Sequence, residues 1–263
     1  MRLGFIGAGN MAQAMIGGIL AKEIVKKEDI IASAATQKTI DKVAKEFGIN
    51  VTLDNREVAK ADIVFLAVKP FYYEEVIDGI KDVVDEKQLI ISVAAGKSVE
   101  WVENAFGGKK KIVRIMPNTP ALVGEAVTAI SPNANITDGE KQEIVELIAS
   151  FGLAQIVSEK IMDAVIAVSG SSPAYVFMFI EAMADAAVAE GMPRVQAYQF
   201  AAQSVLGSAK MVLETGKHPG ELKDMVCSPS GTTIEAVKVL EEKGFRSSII
   251  EAMSACADKS RNM

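Results

Sequence analysis

Histidine, cysteine and an excess of positive charge are what this sequence has least of, and each shortage removes a class of function. His218 is the single histidine in 263 residues. A Ser-His-Asp triad or a metal site built on imidazoles therefore has little to work with. Two cysteines, Cys227 and Cys256, cannot by themselves supply the four ligands of a structural zinc. They are expected as reduced thiols. Lysine and arginine total 28 against 34 acidic residues, a net charge of −6, so nothing favours nucleic acid or an anionic membrane surface. No uninterrupted run of 18 apolar residues is present; the nearest, Ala174–Ile180, is followed by Glu181 and Asp185. The chain opens directly on a strand-like segment, which leaves no room for a secretory leader. The expectation is a soluble, cytoplasmic protein whose partner is a small molecule, with neither nucleic acid nor membrane.

What is present begins with glycine. Leu3–Ile6 is a short apolar run, Asn10–Lys22 is compatible with a helix, and between them Gly7, Gly9 and Ala12 form a G-x-G-x-x-A pattern. Each small residue has a job in a dinucleotide site. Gly7 permits the tight turn, Gly9 lets a pyrophosphate approach the backbone, and Ala12 lets helix and strand pack closely. The helix start offers unpaired N–H groups and a positive dipole end to phosphate. Ile6, Asn10 and Met11 belong to the same expected site.

The first half alternates two kinds of segment. Apolar runs fall at Leu3–Ile6, Ile30–Ala34, Ile63–Val68, Leu89–Val93 and Ile112–Met116, with helical patterns near Asn10–Lys22, Lys38–Phe47, Tyr73–Val84 and Val99–Ala105. Continuously apolar strands separated by helices imply parallel strands buried on both faces. The fold class is therefore α/β, a Rossmann-like, mostly parallel sheet with its ligand crevice at the strand carboxyl ends. Val127–Ile130 and Ala154–Val157 are expected as edge strands flanking a helix from about Thr137 to Phe151. Beyond Lys160 only helical patterns remain: Pro173–Glu190, Arg194–Glu214, Glu221–Val226, Thr233–Lys243 and Arg246 onward. Two domains are expected, 1–159 for the dinucleotide and 160–263 as an all-α domain for substrate and dimerisation. The helix around Ala174–Val188 is apolar nearly all round and needs cover on most sides. A second chain would supply it, making a homodimer through the helical half.

The second strand settles which dinucleotide is expected. NAD-selective folds carry an acid about 20 residues past the fingerprint to hold the ribose 2′-hydroxyl. Here Ser33-Ala-Ala-Thr36-Gln37-Lys38 has no carboxylate before Asp41, while Ser33 and Thr36 can donate to a phosphate. Simple turn chemistry is the competing role for both. NADPH is the preferred cofactor, with NADH also usable because no arginine stands at the strand end. Ala67-Val68-Lys69-Pro70 and Met116-Pro117-Asn118-Thr119-Pro120 lie at strand carboxyl ends and point into the crevice. Ala95 and Gly96 suit close backbone approach, and Asn55 completes the expected cofactor set.

Ser228-Pro229-Ser230-Gly231-Thr232-Thr233 is a loop running into a helix. It reads either as a Ser/Thr-capped helix start or as an anion site built from the N–H groups of Gly231, Thr232 and Thr233.

These stretches together resemble the pyrroline-5-carboxylate reductase family. The resemblance rests on Phe5–Ala12, Ala67–Pro70, Met116–Pro120, Ser169-Gly-Ser-Ser-Pro-Ala-Tyr175 and the segment from His218 to Val237, and it spans nearly the whole chain. One departure is Ser230-Gly231-Thr232, where many members have Gly-Gly-Ala. The resemblance implies hydride transfer to the C=N bond of 1-pyrroline-5-carboxylate, giving L-proline in the last step of proline biosynthesis. It implies an active site between one subunit's cofactor and the helical domains of an interlocked dimer, and it leaves a larger assembly such as a decamer open. Gly231, Thr232 and Thr233 would then hold the substrate carboxylate, with the Thr233 hydroxyl facing the ring nitrogen. Met116, Pro117 and Asn118 would border the nicotinamide, and Ser171, within 169–173, would line the pocket. Glu221 and His218 would shape a helix start. Metal is not expected, because a protonated imine is already electrophilic.

Two other readings compete. A β-hydroxyacid dehydrogenase would place a lysine within the helix after a Gly-rich segment, and Gly170-Ser-Ser-Pro-Ala-Tyr-Val-Phe-Met-Phe179 has none. A non-catalytic NADP-binding module would have no need of the Gly231–Thr233 loop.

Overall fold

A computed structural model describes residues 1–262; Met263, the last residue of the expected helical domain, lies outside them. The apolar runs form an eight-stranded sheet. Its strands are β1 (Leu3–Ile6), β2 (Ile30–Ser33), β3 (Asn50–Thr52), β4 (Ile63–Leu66), β5 (Leu89–Ser92), β6 (Lys111–Met116), β7 (Ala126–Pro132) and β8 (Gly152–Ile156). The order is β3-β2-β1-β4-β5-β6-β7-β8, parallel throughout except for the antiparallel pair β6 and β7. The strand order reverses between β1 and β4. A crevice at the carboxyl ends of those two strands is where ligands of open α/β sheets bind.

Alternation along the strands makes two cores. Leu3, Phe5, Phe65, Ile91, Val113 and Ile115 face helices α1 (Asn10–Ala21), α2 (Gln37–Phe47) and α6 (Asp138–Ile148), with Phe5 and Phe65 stacked at 4.3 Å. Ile6, Val64, Leu66, Ile90 and Ile112 face α3 (Asn55–Val58), α4 (Tyr73–Ile80) and α5 (Val99–Ala105). Burial of a large apolar side chain contributes about 1.5–3 kcal/mol. Local chemistry sets the helix ends. Thr36 caps α2, Ser98 caps α5, and Thr137 with Glu140 forms a capping box at α6.

Two edge expectations change. Val127–Ile130 was expected at an edge, but β7 lies between β6 and β8, because its antiparallel turn back along β6 leaves its other side to pair with β8. The opposite edge is β3, unannounced by Asn50-Val51-Thr52, which is too short and too exposed to carry a buried-strand pattern.

After β8 the chain turns helical at residue 159, through α7 (Met162–Val165) and a π-turn at Ile166–Gly170. The compact units, however, divide later than the expected 159/160 boundary. One comprises Met1–Ser171 together with the chain from Cys256 onward, and the other is Ser172–Ala255. The C-terminal segment returns to the first unit because Ser260 Oγ donates to Asp163 at 2.6 Å and Cys256 Sγ donates to Ser171 Oγ at 3.1 Å.

The second unit contains α8 (Ser172–Ala189), α9 (Arg194–Thr215), α10 (Pro219–Val226), α11 (Thr232–Glu242) and most of α12 (Phe245–Arg261). Ala184, Ala197 and Ala201 form its small buried core, with Ile180, Met183 and Val188 packed around them. Much of its apolar surface stays uncovered: Phe177 is 62% exposed, Met178 69% and Phe200 67%. By length and composition alone, the helical stretch Glu159–Ala189 could also cross a membrane, which the interrupted apolar run in the sequence did not suggest.

Candidate active site

Gly7 has φ +96°, and a Cβ there would lie 2.8 Å from the Ala67 carbonyl oxygen and 2.8 Å from Val68 Cγ1. The turn after β1 is thus pressed against the loop after β4, and only glycine fits. Its N–H donates to Ser33 O at 3.1 Å, while Ala67 N–H donates to Ile6 O at 2.8 Å, so three strand ends are tied together. Gly9 differs. It precedes α1 in extended backbone with no side-chain cap, and a Cβ there would meet nothing within 4 Å. The space beside it is open and the first N–H groups of α1 carry no side-chain cap, which is the form of a phosphate cradle. Ala12 is fully buried against the sheet. Gln13, which the sequence did not single out, donates to the Ala8 carbonyl at 2.7 Å and accepts from Lys42 Nζ at 3.1 Å.

The residues expected at the adenosine end are brought together differently from the expectation. Ser33 was expected to donate to a phosphate. It is fully buried, and its hydroxyl donates to Asn55 Oδ1 at 2.6 Å. That bond fixes the Asn55 amide with its oxygen inward and leaves the NH2 group as the donor. Thr36 takes a turn role: its hydroxyl caps α2 by accepting from Thr39 N. It remains exposed at the strand end, as does Lys38.

Beyond β4, Lys69 is exposed and Pro70 starts a one-turn helix. Beneath that loop lies Tyr73, fully buried, whose hydroxyl donates to Leu66 O at 2.6 Å and accepts from Val93 N at 3.0 Å. Burial pushes its pKa up to about 12, so the phenol stays a donor. It joins the ends of β4 and β5 below Ala67–Pro70 and Ala95–Gly96. Gly96 is exposed at φ +73°, and Ala95 packs beside Met116, Ala129 and Met162.

Met116, Pro117 and Asn118 are all buried. Asn118 was expected to border the cofactor, but both ends of its side chain are committed to the protein: Nδ2 donates to Ser169 O and Oδ1 accepts from Val127 N, each at 3.0 Å. That leaves the backbone and the second amide N–H for that role. Arg114, 7% exposed, was also missed; it pairs with Glu159 at 2.9 Å, and the same carboxylate oxygen accepts from Val99 N. The available signal was an arginine within the otherwise apolar Ile112–Met116.

In the second unit, Ser230 takes φ +56° and Gly231 N–H donates to Ser228 O at 3.1 Å. Gly231 was expected to offer that N–H to a carboxylate, but the turn uses it. A Cβ on Gly231 would collide with Ser228 Oγ. Thr232 and Thr233 supply the N–H groups at the start of α11, which has no side-chain cap. His218 caps α10 by accepting from Gly220 N at 3.1 Å. Among the described residues no three His, Cys, Asp or Glu side chains are placed to hold a metal ion.

Comparison with known proteins adds the following. A family model described as pyrroline-5-carboxylate reductase dimerisation matches residues 159–263, and one described as NADP oxidoreductase, coenzyme F420-dependent, matches residues 2–96. The chain is similar to the pyrroline-5-carboxylate reductase of Escherichia coli (strain K12), 51% identical over 263 residues, all of this chain and 98% of the relative. Its structure is similar to that of a pyrroline-5-carboxylate reductase from Coxiella burnetii, with a TM-score of 0.92 at 35% identity over 99% of this chain and 97% of the other. It is also similar to the Plasmodium falciparum pyrroline carboxylate reductase crystallised with NADP bound, with a TM-score of 0.91 at 33% identity over 100% and 97% of the two chains.

Proposed function

The chain belongs to the pyrroline-5-carboxylate reductase family, and we propose that it reduces the C=N bond of 1-pyrroline-5-carboxylate to L-proline in the cytoplasm, with NADPH as preferred cofactor and NADH as a weaker substitute. The cofactor, when bound, supplies the hydride. The observation that carries the cofactor side is the uncapped start of α1 beside the open face of Gly9. Residues Ile6–Ala12 receive the pyrophosphate there. Ala67, Val68, Lys69, Pro70, Ala95, Gly96, Met116 and Pro117 border the rest of the cofactor.

The protein's own chemical contribution is orientation. A protonated cyclic imine needs no strong acid, and fixed geometry can supply on the order of 7–11 kcal/mol. The Thr232 and Thr233 N–H groups bind the substrate carboxylate at the positive end of α11, with Gly231 shaping the turn. The Thr233 hydroxyl faces the ring nitrogen and assists its protonation, and Ser171 is kept as a substrate-binding residue. The test is oxidation of NADPH, followed by its absorbance, with the cyclic imine as substrate. No turnover with the imine, with turnover on a 3-hydroxy acid, would select a dehydrogenase instead.

Asn55 sets the preference for NADPH. Held by Ser33 at the end of β2, its amide keeps the NH2 group as a donor there, and a 2′-phosphate is a better acceptor for it than a hydroxyl. Asn55→Asp keeps an acceptor for the Ser33 hydroxyl and puts a negative charge at that place. The expected outcome is a fall of roughly 10- to 100-fold in the NADPH-to-NADH ratio of kcat/KM, or about 1.4–2.7 kcal/mol. An unchanged ratio would remove Asn55 from the 2′ position.

The assembly follows from the second unit. Phe177, Met178, Phe200, Leu206, Met211 and Leu213 are exposed, and a family model for dimerisation matches this part of the chain. A second copy covering these side chains makes a homodimer, from which a larger ring such as a decamer can be built. Light scattering at micromolar concentration should give at least twice the chain mass; a monomer would overturn the assignment. Covered in this way, the apolar stretch Glu159–Ala189 needs no membrane.

A further inference from the structure

A proline interrupts the hydrogen-bond ladder of the helical stretch after β8. In a regular α-helix the carbonyl of Ser169 would accept from residue 173, but Pro173 has no N–H. Just upstream the ladder has already widened: Ile166–Gly170 is a π-turn in which Ser171 N–H reaches Ile166 O at 2.9 Å. Isolated π-turns occur frequently at functional sites, because they displace side chains from the regular helical path. The Ser169 hydroxyl turns back onto Val165 O at 2.9 Å, while its carbonyl accepts from Asn118 Nδ2 at 3.0 Å.

Asn118 lies far away in sequence, at the end of the loop that follows β6. It is 7% exposed, and its Oδ1 holds Val127 N–H at the start of β7. One side-chain amide therefore joins three segments: the Met116–Asn118 loop, β7 and the π-turn that ends at Ser171. An unpaired buried carbonyl costs about 1–3 kcal/mol, so the donor is not readily given up.

We propose that Asn118 is a positioning residue. It clamps the π-turn and so fixes Ser171, the substrate-side residue, at a set distance from Met116 and Pro117 on the cofactor side. The proposal rests on those two assignments. Asn118 does not itself touch the cofactor through its side chain.

Asn118→Asp is the informative variant, since at neutral pH it keeps an acceptor for Val127 N–H and loses the donor to Ser169 O. Expected results are a rise of about tenfold in KM for the cyclic imine, a Kd for NADPH within about twofold of the parent, and faster amide exchange across 166–171 in the cofactor-free protein. Asn118→Ala, which introduces no buried charge, should give the same split and serves if the Asp variant does not fold. Equal losses in imine KM and NADPH Kd would overturn the proposal in favour of direct cofactor contact. A folded variant with unchanged KM and unaltered exchange would overturn it too, leaving Asn118 only a packing role. The exchange measurement needs no substrate. Faster exchange at 166–171 with unchanged KM would therefore show that the clamp exists and that the Ser171 assignment is at fault. Unaltered exchange would refute the clamp itself.

Discussion

Gly9→Ala should weaken NADPH binding by roughly 10- to 100-fold while leaving the melting temperature of the cofactor-free protein unchanged, and Gly7→Ala should lower both. The two glycines of one motif are separated by what a methyl group would meet. At Gly9 the backbone is in a region any residue adopts and the added carbon touches no protein atom within 4 Å. The only thing it can displace is a ligand brought up to the α1 start. At Gly7 the backbone is at φ +96°, and the same carbon presses on the Ala67 carbonyl and Val68 Cγ1. The loop after β4 must then shift, at a strain of about 1–3 kcal/mol. Thermal unfolding with and without NADPH, alongside a fluorescence titration, reads both effects. If Gly9→Ala binds NADPH like the parent, the pyrophosphate does not approach that face and the cradle at α1 is misplaced.

The same contrast explains how far the sequence could be read. Gly7, Gly9 and the continuous apolar runs were legible because their meaning is local: a turn needs a positive φ, and a strand buried on both faces has no polar side. Strand β3 was not legible, since three half-exposed residues at an edge carry no such pattern. Site residues whose role depends on distant partners were legible only as residue types. Ser33 reads as a surface donor until the structure shows its hydroxyl spent on Asn55, 22 positions away. Asn118 reads as cofactor-facing until Ser169 and Val127 claim both ends of its amide. Gly231 reads as an N–H donor to a ligand, yet the tight turn to Ser228 takes that N–H. The pair of buried Arg114 and half-buried Glu159 spans 45 positions, and only the oddity of an arginine inside an apolar strand hinted at it.

Thr233→Ala should lower kcat/KM for the cyclic imine by about 10- to 1000-fold and leave the Kd for NADPH unchanged. The first turn of α11 has no side-chain cap, and the preceding Gly231 N–H is already used. On the proposed function, a carboxylate at that helix start is held by the Thr232 and Thr233 N–H groups, which an alanine at 233 retains. What alanine removes is the hydroxyl alone. If that hydroxyl faces the ring nitrogen, its loss falls on the reacting centre rather than on the carboxylate, so kcat should drop more than KM rises. Thr233→Ser restores the hydroxyl and should recover most of the rate, a result that repacking of a lost methyl group could not produce. Thr232→Ala is the internal control: it keeps the same backbone and lacks a hydroxyl assigned to the nitrogen, and should stay within a few-fold of the parent (about threefold). Undiminished turnover in Thr233→Ala would take Thr233 out of the chemistry and leave the start of α11 as a carboxylate site only.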